Sequence, residues 1–351
     1  MGDKVEEKKA VSIGFVSLGC AKNLVDLQIM GGELHLAGFE IGVEPEEADV
    51  VLVNTCAFIE DAREEAISAI LGVCELKSAG NCIAVIVTGC LAQRYKEKVL
   101  RACPEVDAIL GVDDLERVPD IINKTLEGKK AARKNEAPKI VEVSTNNPSR
   151  LFNPQIPTLV LTGGPYAYLK ISEGCYHVCS FCAIPGIRGN LRSRPVDELV
   201  NEARIILASG ISELNLIAQD ITSYGRDLKN NTNLVTLLRE LDSLEGDFWI
   251  RLLYAHPATV TDELLDFINE SKHVCHYLDI PVQHSHSDIL RAMNRADTVK
   301  IVPDMVTRIR ERIPDVVLRT TCLVGFPGET DEHFKHLMDF IGKAKFEHLG
   351  A

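Results

Sequence analysis

Apolar residues over the first 128 positions come in short runs separated by amphipathic stretches. VSIGFVSL (11–18), DVVLVN (49–54), CIAVIVT (82–88) and VDAIL (106–110) are apolar at nearly every position, the pattern of strands buried on both faces. Between and after them, residues from about 24–37, 59–78, 91–102 and 113–128 carry apolar side chains at helical spacing, and Gly38 stops the first of these helices. Short buried strands alternating with helices predict a parallel α/β domain over residues 1–127. Residues 128–160, GKKAARKNEAPK and then NNPSRLFNPQIP, lose the alternation and read as a linker. From 161 to 351 it resumes with strands at YAYLKIS (166–172), ELNLIAQ (213–219), DFWIRLLYA (247–255), YLDIPVQ (277–283) and VVLRTTCLV (316–324). Each is followed by a helical segment, and a sixth strand begins at Phe346. This series predicts a partial (β/α) barrel. The chain stops at Ala351, inside that strand, so the sequence reads as truncated there.

Composition adds exclusions. Hydrophobic residues at 46% and charged ones at 25% are ordinary for a globular protein and exclude disorder and coiled coil. No apolar run approaches the roughly 18 residues needed to span a bilayer, and MGDKVEEKKA lacks the apolar core of a secretory signal. A cytoplasmic location is therefore expected. The net charge of -13 is shared between the two halves, and aromatics are only 5%; both argue against a nucleic-acid-binding face. Eleven cysteines in a chain with no export signal read as metal ligands, catalytic groups or core residues rather than disulfides.

Cys20, Cys56 and Cys90 each come just after a predicted strand, in the contexts SLGC, VNTC and VTGC. The carboxyl ends of parallel strands are where such sheets bind ligands, so three thiols could converge there; the alternative is three small core residues. EGCYHVCSFC is more specific, because it sets Cys175, Cys179 and Cys182 as C-x3-C-x2-C in the loop after the first strand of the second half. Three thiolates at this spacing can hold three irons of a 4Fe-4S cluster and leave the fourth without a protein ligand. Structural zinc wants four ligands, and no fourth Cys or His follows at a usual spacing; His177, inside the loop, would be strained to join.

At these residues the sequence resembles the radical S-adenosylmethionine superfamily, whose cysteine loop with an aromatic before the last Cys is matched by Cys175, Cys179, Phe181 and Cys182. LGCAKNLVD (18–26), NTC (54–56) and TGC (88–90) resemble the amino-terminal domain of the methylthiotransferases, in which three cysteines bind a second 4Fe-4S cluster. YLKISEGC, IPGIRGNLRSRP and IAQDITSYG are similar to the branch that methylthiolates the β-carbon of an aspartate in ribosomal protein S12. The resemblance implies two 4Fe-4S clusters, S-adenosylmethionine as cofactor, and an electron donor such as flavodoxin or ferredoxin. The sulfur source is not legible. The runner-up is a tRNA methylthiotransferase acting on a modified adenosine, against which the acidic balance counts modestly; a non-catalytic iron-sulfur scaffold is a third reading. The family continues into a carboxyl-terminal TRAM domain, absent from this sequence, and its Gly-Gly-Glu motif is replaced by Ala218-Gln219-Asp220.

The resemblance bears on two further positions, and the residues themselves suggest the others. Phe181 either lies against the adenine or wedges the loop. Gly325, in GFPGE (325–329), belongs to the adenine-side segment or simply makes a βα turn. Gln283, at a strand end, could meet the ribose. Arg188, Arg192 and Arg194 could bind a carboxylate, although a short Arg run is more often a solvated face. His284 and His286 read as surface or rim residues, and Cys74, Cys82, Cys103, Cys275 and Cys322 as structural.

Overall fold

In a computed structural model the described residues are 10–80, 82–132, 138–144, 161–229 and 231–351. They fall into two compact units, Met1–Leu161 and Thr162–Ala351. The first contains β1 (Ser12–Ser17), α1 (Ala21–Leu36), β2 (Glu40–Val43), β3 (Val50–Thr55), α2 (Glu60–Ala79), β4 (Ala84–Gly89), α3 (Cys90–Tyr95), α4 (Glu97–Ala102), β5 (Ala108–Leu110), α5 (Val118–Ala132) and β6 (Ile140–Glu142). Its sheet runs β2-β1-β3-β4-β5-β6, with every pair parallel. Alternate residues face opposite sides: Ile13, Leu52, Ile86 and Leu110 pack with Leu27 and Met30 of α1 and Ile121 and Ile122 of α5. The intervening Val51, Val53, Val85 and Val87 are also fully buried, and α2 packs along β3 and β4. Burial on both faces is why these strands lack a polar alternation.

Two strands escape the hydrophobic pattern. β2 is a four-residue edge strand with no buried position, and β6 has three half-buried residues. β6 lies inside the segment read as a linker, which is a correction: α5 continues through Ala132, and Ile140–Glu142 completes the first sheet by pairing with β5. The call of a linker over 145–160 lies outside the described residues. The helix expected over 91–102 breaks at Lys96, whose φ of 45° is left-handed.

The second unit contains β7 (Tyr166–Lys170), β8 (Ser172–Glu173), α6 (Ile184–Arg188), β9 (Arg192–Ser193), α7 (Val196–Ala208), β10 (Glu213–Ile217), α8 (Leu234–Asp242), β11 (Trp249–Leu252) and α9 (Asp262–Glu270). It continues with β12 (Val274–Asp279), α10 (Ser287–Ala292), α11 (Val302–Arg312), β13 (Val317–Thr321), α12 (Asp331–Ala344) and β14 (His348–Gly350). Six parallel strands in the order β7-β10-β11-β12-β13-β14 form an open sheet, the partial barrel that the βα series predicts, while β8 and β9 make a small antiparallel ladder. Side-chain caps set the starts of α8 and α9: Asn233 Oδ1 accepts the Thr236 N–H at 2.9 Å and Thr261 Oγ1 that of Leu264 at 3.2 Å. Among the described residues no helix is long and apolar enough to cross a membrane.

Candidate metal centres

The strand order of the first sheet reverses direction at β1, with β2 on one side and β3 on the other, and parallel sheets bind ligands at such a switch point. Cys20 caps α1 just beyond β1, Cys56 directly follows β3, and Cys90 opens α3 directly after β4. Asn23, fully buried, joins them: its Oδ1 is 4.0 Å from Cys20 Sγ and 3.7 Å from Cys90 Sγ. A methyl added at Gly19 would lie 3.4 Å from Cys56 Sγ and 3.0 Å from Asn23 Nδ2. Two sulfurs therefore flank one buried amide, and the third lies against the same Gly19 turn. Cys20 and Cys90 also stand at helix amino ends, where the dipole favours negative charge. Asn23 Nδ2 donates to Thr55 O at 2.9 Å and to Leu18 O at 3.2 Å, and Asn54 Nδ2 donates to Asn23 O at 2.6 Å. Gly89 has φ +91°, and a Cβ there would fall 2.4 Å from Thr55 O, so only glycine lets β4 deliver Cys90 this close to β3.

Asn23 was not singled out in the sequence, where it is one polar residue in AKNLVD. Replacing it with Leu removes the donor to the buried Thr55 carbonyl and the part-buried Leu18 carbonyl, and an unmet buried polar group costs about 1–3 kcal/mol. The Asn23→Leu protein is expected to unfold at lower denaturant by an amount in that range, measured by a urea melt.

In the second unit the cysteine loop is anchored at both ends. Cys175 N donates to Gly189 O at 3.2 Å and Ser180 N to Met293 O at 3.0 Å, while Asn294 Nδ2 donates to Val178 O at 2.9 Å. Burial pushes the Cys175 thiol up to about 11, with smaller upward contributions from Asp220 and from Cys182 and Cys179. Cys179 and Cys182 are also raised, by burial first, against a lowering by Arg295. Three thiols on one tethered loop, with the buried Arg295 guanidinium lowering two of them against burial, fit a cationic iron cluster, which deprotonates the thiols it binds.

A charged network, hidden from pattern reading, supports this loop. Glu173 accepts Lys170 Nζ and Arg188 Nη1, each at 2.9 Å, and Gln219 Nε2 at 2.6 Å; Glu173, Lys170 and Arg188 are all buried. Although burial raises its pKa, Arg188 and Lys170 hold the Glu173 carboxyl well below the usual carboxylate range. The Arg run is therefore not a solvated face: Arg188 and Arg194 are 2% and 3% exposed, with Arg194 paired to Glu202 at 2.6 Å. Glu173→Ala removes the carboxylate that Lys170 and Arg188 share, and breaking a buried ion pair costs about 3–5 kcal/mol; a loss of that size is expected in thermal or denaturant unfolding. The adjoining Gly174 has φ +74°, and a Cβ there would sit 2.1 Å from Asn190 O, so Gly174→Ala is expected to lower the iron bound at this loop.

His177 does not face the thiols alone. Its Nε2 lies 2.9 Å from Asp220 Oδ2, and its ring stacks on His256 at 3.7 Å. His256 is pushed down to about 3, by burial first and Arg295 next. It is neutral at physiological pH, with Nδ1 accepting the Ala258 N–H at 3.3 Å. Phe181 is half-buried one position before Cys182. Gln283 follows β12 with φ 65° and is tied to β13, its N–H donating to Thr321 O at 2.9 Å. Gly325 is exposed with open space around it. His284 corrects the sequence expectation, being fully buried with Nε2 3.4 Å from Glu329 Oε1. Glu329 Oε2 in turn accepts the Phe326 N–H at 3.1 Å, so a buried contact joins the Gln283 loop to GFPGE. Cys74, Cys82, Cys103 and Cys322 are buried and Cys275 half-buried, and burial raises all five.

Comparisons with known proteins agree with this division. Residues 12–111 match the uncharacterized protein family UPF0004, and residues 169–341 the radical SAM superfamily. Among solved structures, the radical S-adenosylmethionine methyltransferase TsrM from Kitasatospora setae is similar with a TM-score of 0.69 at 16% identity, over 97% of this chain and 72% of that one. The cobalamin-dependent S-adenosylmethionine radical enzyme OxsB aligns with a TM-score of 0.65 at 14% identity, over 95% of this chain and 52% of that one. Fold and cysteine loop thus define a radical S-adenosylmethionine protein with an amino-terminal α/β unit. The ribosomal protein uS12 methylthiotransferase RimO of Geobacter sulfurreducens is 46% identical over 97% of this chain and 74% of its own length; that of Lachnoclostridium phytofermentans is 44% identical over 97% and 75%. The chain belongs to the ribosomal protein uS12 methylthiotransferase family.

Proposed function

We infer that this protein is a radical S-adenosylmethionine enzyme that adds a methylthio group to the β-carbon of an aspartate in ribosomal protein S12. The observation that carries this is a second thiol set at the ends of β1, β3 and β4, with Cys20 and Cys90 beside Asn23 and Cys56 against the Gly19 turn, in a chain 46% identical over 97% of its length to a ribosomal protein uS12 methylthiotransferase. A radical enzyme needing only one cluster would have no use for it.

Its cofactors are S-adenosylmethionine and two 4Fe-4S clusters, one held by Cys20, Cys56 and Cys90 and the other by Cys175, Cys179 and Cys182. When bound, the clusters would supply the electron for opening the carbon-sulfur bond of S-adenosylmethionine and an iron site for the transferred sulfur. The protein's own residues orient and insulate. Arg295, 4% exposed, offsets negative charge at the Cys179 side, and Asp220 fixes the His177 ring inside the loop. His256 stays neutral, so it adds no charge beside the cofactor. Phe181 is assigned to the adenine face, Gln283 to the ribose and Gly325 to the adenine-side turn; the His284–Glu329 contact holds the last two segments together. The electron donor is a flavodoxin or ferredoxin, and the setting is the cytoplasm.

The test is anaerobic turnover with S-adenosylmethionine, a reductant, S12 and bulk tRNA together. A methylthio mass gain on the S12 aspartate is expected. Modification of a tRNA adenosine with S12 unchanged would transfer the protein to the other branch.

A further inference from the structure

The loops that follow β12 and β13 gather three imidazoles that the reaction above does not use. His286 caps α10, its Nδ1 accepting the Asp288 N–H at 3.2 Å. His333 completes the capping box of α12, its Nδ1 accepting the Thr330 N–H at 3.2 Å. Their rings stand 4.3 Å apart, and His336, one turn further along α12, meets the His286 ring edge-on at 5.1 Å while its Nδ1 is 2.9 Å from Ser285 Oγ. Capping explains one nitrogen each of His286 and His333. It does not explain why the caps of two separate helices meet, nor why Asp288 turns Oδ2 to within 4.0 Å of His286 Nδ1 while Oδ1 pairs with Arg291 at 2.9 Å.

Ligand atoms of His286, Asp288 and His333 all lie within 4.8 Å of one another. A tetrahedral zinc ion with bonds of about 2.0–2.2 Å holds its ligands roughly 3.3–3.6 Å apart, so closure needs a shift of an ångström or so. Asp288 is exposed and His286 and His333 half-buried, which leaves room for that shift and a path for the ion. Two imidazoles with one carboxylate suit zinc and its divalent transition-metal neighbours and suit calcium or magnesium poorly, since those prefer all-oxygen shells. We propose that His286, Asp288 and His333 form a zinc site, with His336 at its edge, that clips the start of α10 to the start of α12. The two clipped loops are those carrying Gln283 and Gly325, so an ion there stiffens the segments assigned to the cofactor.

The experiment uses reconstituted holoprotein, so that iron already occupies both thiol sets, dialysed against micromolar free zinc. One zinc per chain is expected by elemental analysis, with a nitrogen and oxygen shell at about 2.0–2.1 Å in zinc-edge X-ray absorption. The His286→Gln, His333→Gln double variant is expected to lose that zinc and keep its iron. Asp288→Ala leaves both caps in place, which guards against a folding failure in the double variant, and is expected to weaken uptake several-fold. No uptake by the parent protein, uptake unchanged in both variants, or a sulfur shell near about 2.3 Å would each overturn the proposal.

Discussion

Cys179→Ala protein, reduced and anaerobic, is expected to form no 5'-deoxyadenosine and to leave S12 unmodified. Cys179 is one of three thiols on a loop with no fourth ligand at a usual spacing, so its loss leaves only two anchors where three irons need them. Folding is expected to survive, because the loop's tethers do not involve its side chain: Ser180 N to Met293 O and Asn294 Nδ2 to Val178 O bracket it from the backbone. Iron is expected to fall by about four atoms per chain, one cubane. The measurement is chromatography of the nucleoside products beside an iron assay. Persistence of 5'-deoxyadenosine would mean that the two thiol sets have been given each other's roles.

The triple variant Cys20→Ala, Cys56→Ala, Cys90→Ala is expected to behave in the complementary way. Reconstituted parent should hold about eight irons, four per cubane, and the variant about half. Cleavage of S-adenosylmethionine is expected to continue while methylthiolated S12 disappears. Asn23 keeps its bonds to Leu18 O and Thr55 O in the variant, so the sheet end is expected to stay folded. An unchanged iron count in the triple variant would remove the first thiol set from the assignment.

The two thiol sets differ in how they are written in the chain. Cys175, Cys179 and Cys182 lie within eight residues, so spacing alone presents them as a unit. Cys20, Cys56 and Cys90 are 34 or more residues apart, and only the repeated strand-then-cysteine context links them; their meeting depends on β1, β3 and β4 being neighbours in one parallel sheet. Strands buried on both faces were legible because the transfer of apolar surface from water selects long apolar runs. The edge strands β2 and β6 were not, because half-exposed residues leave no such trace, and their pairing is set by backbone hydrogen bonds that any side chain permits.

The sequence by itself determined the alternation of strands and helices, the two cysteine groups and the family they resemble, since each is a local pattern of residue types. Tertiary structure alone decided the fate of the charged and imidazole residues. Arg188 reads as a surface cation until Glu173 is found 2.9 Å away across a buried turn, and His284 as a rim residue until Glu329, 45 positions later, closes over it. His286 and His333 are 47 residues apart and unremarkable in either context until their helix caps converge. The physical reason is common to all three. A polar side chain is tolerated in the interior only when a specific partner meets its charge or hydrogen bonds, and that partner is fixed by how distant segments pack, which local sequence does not encode.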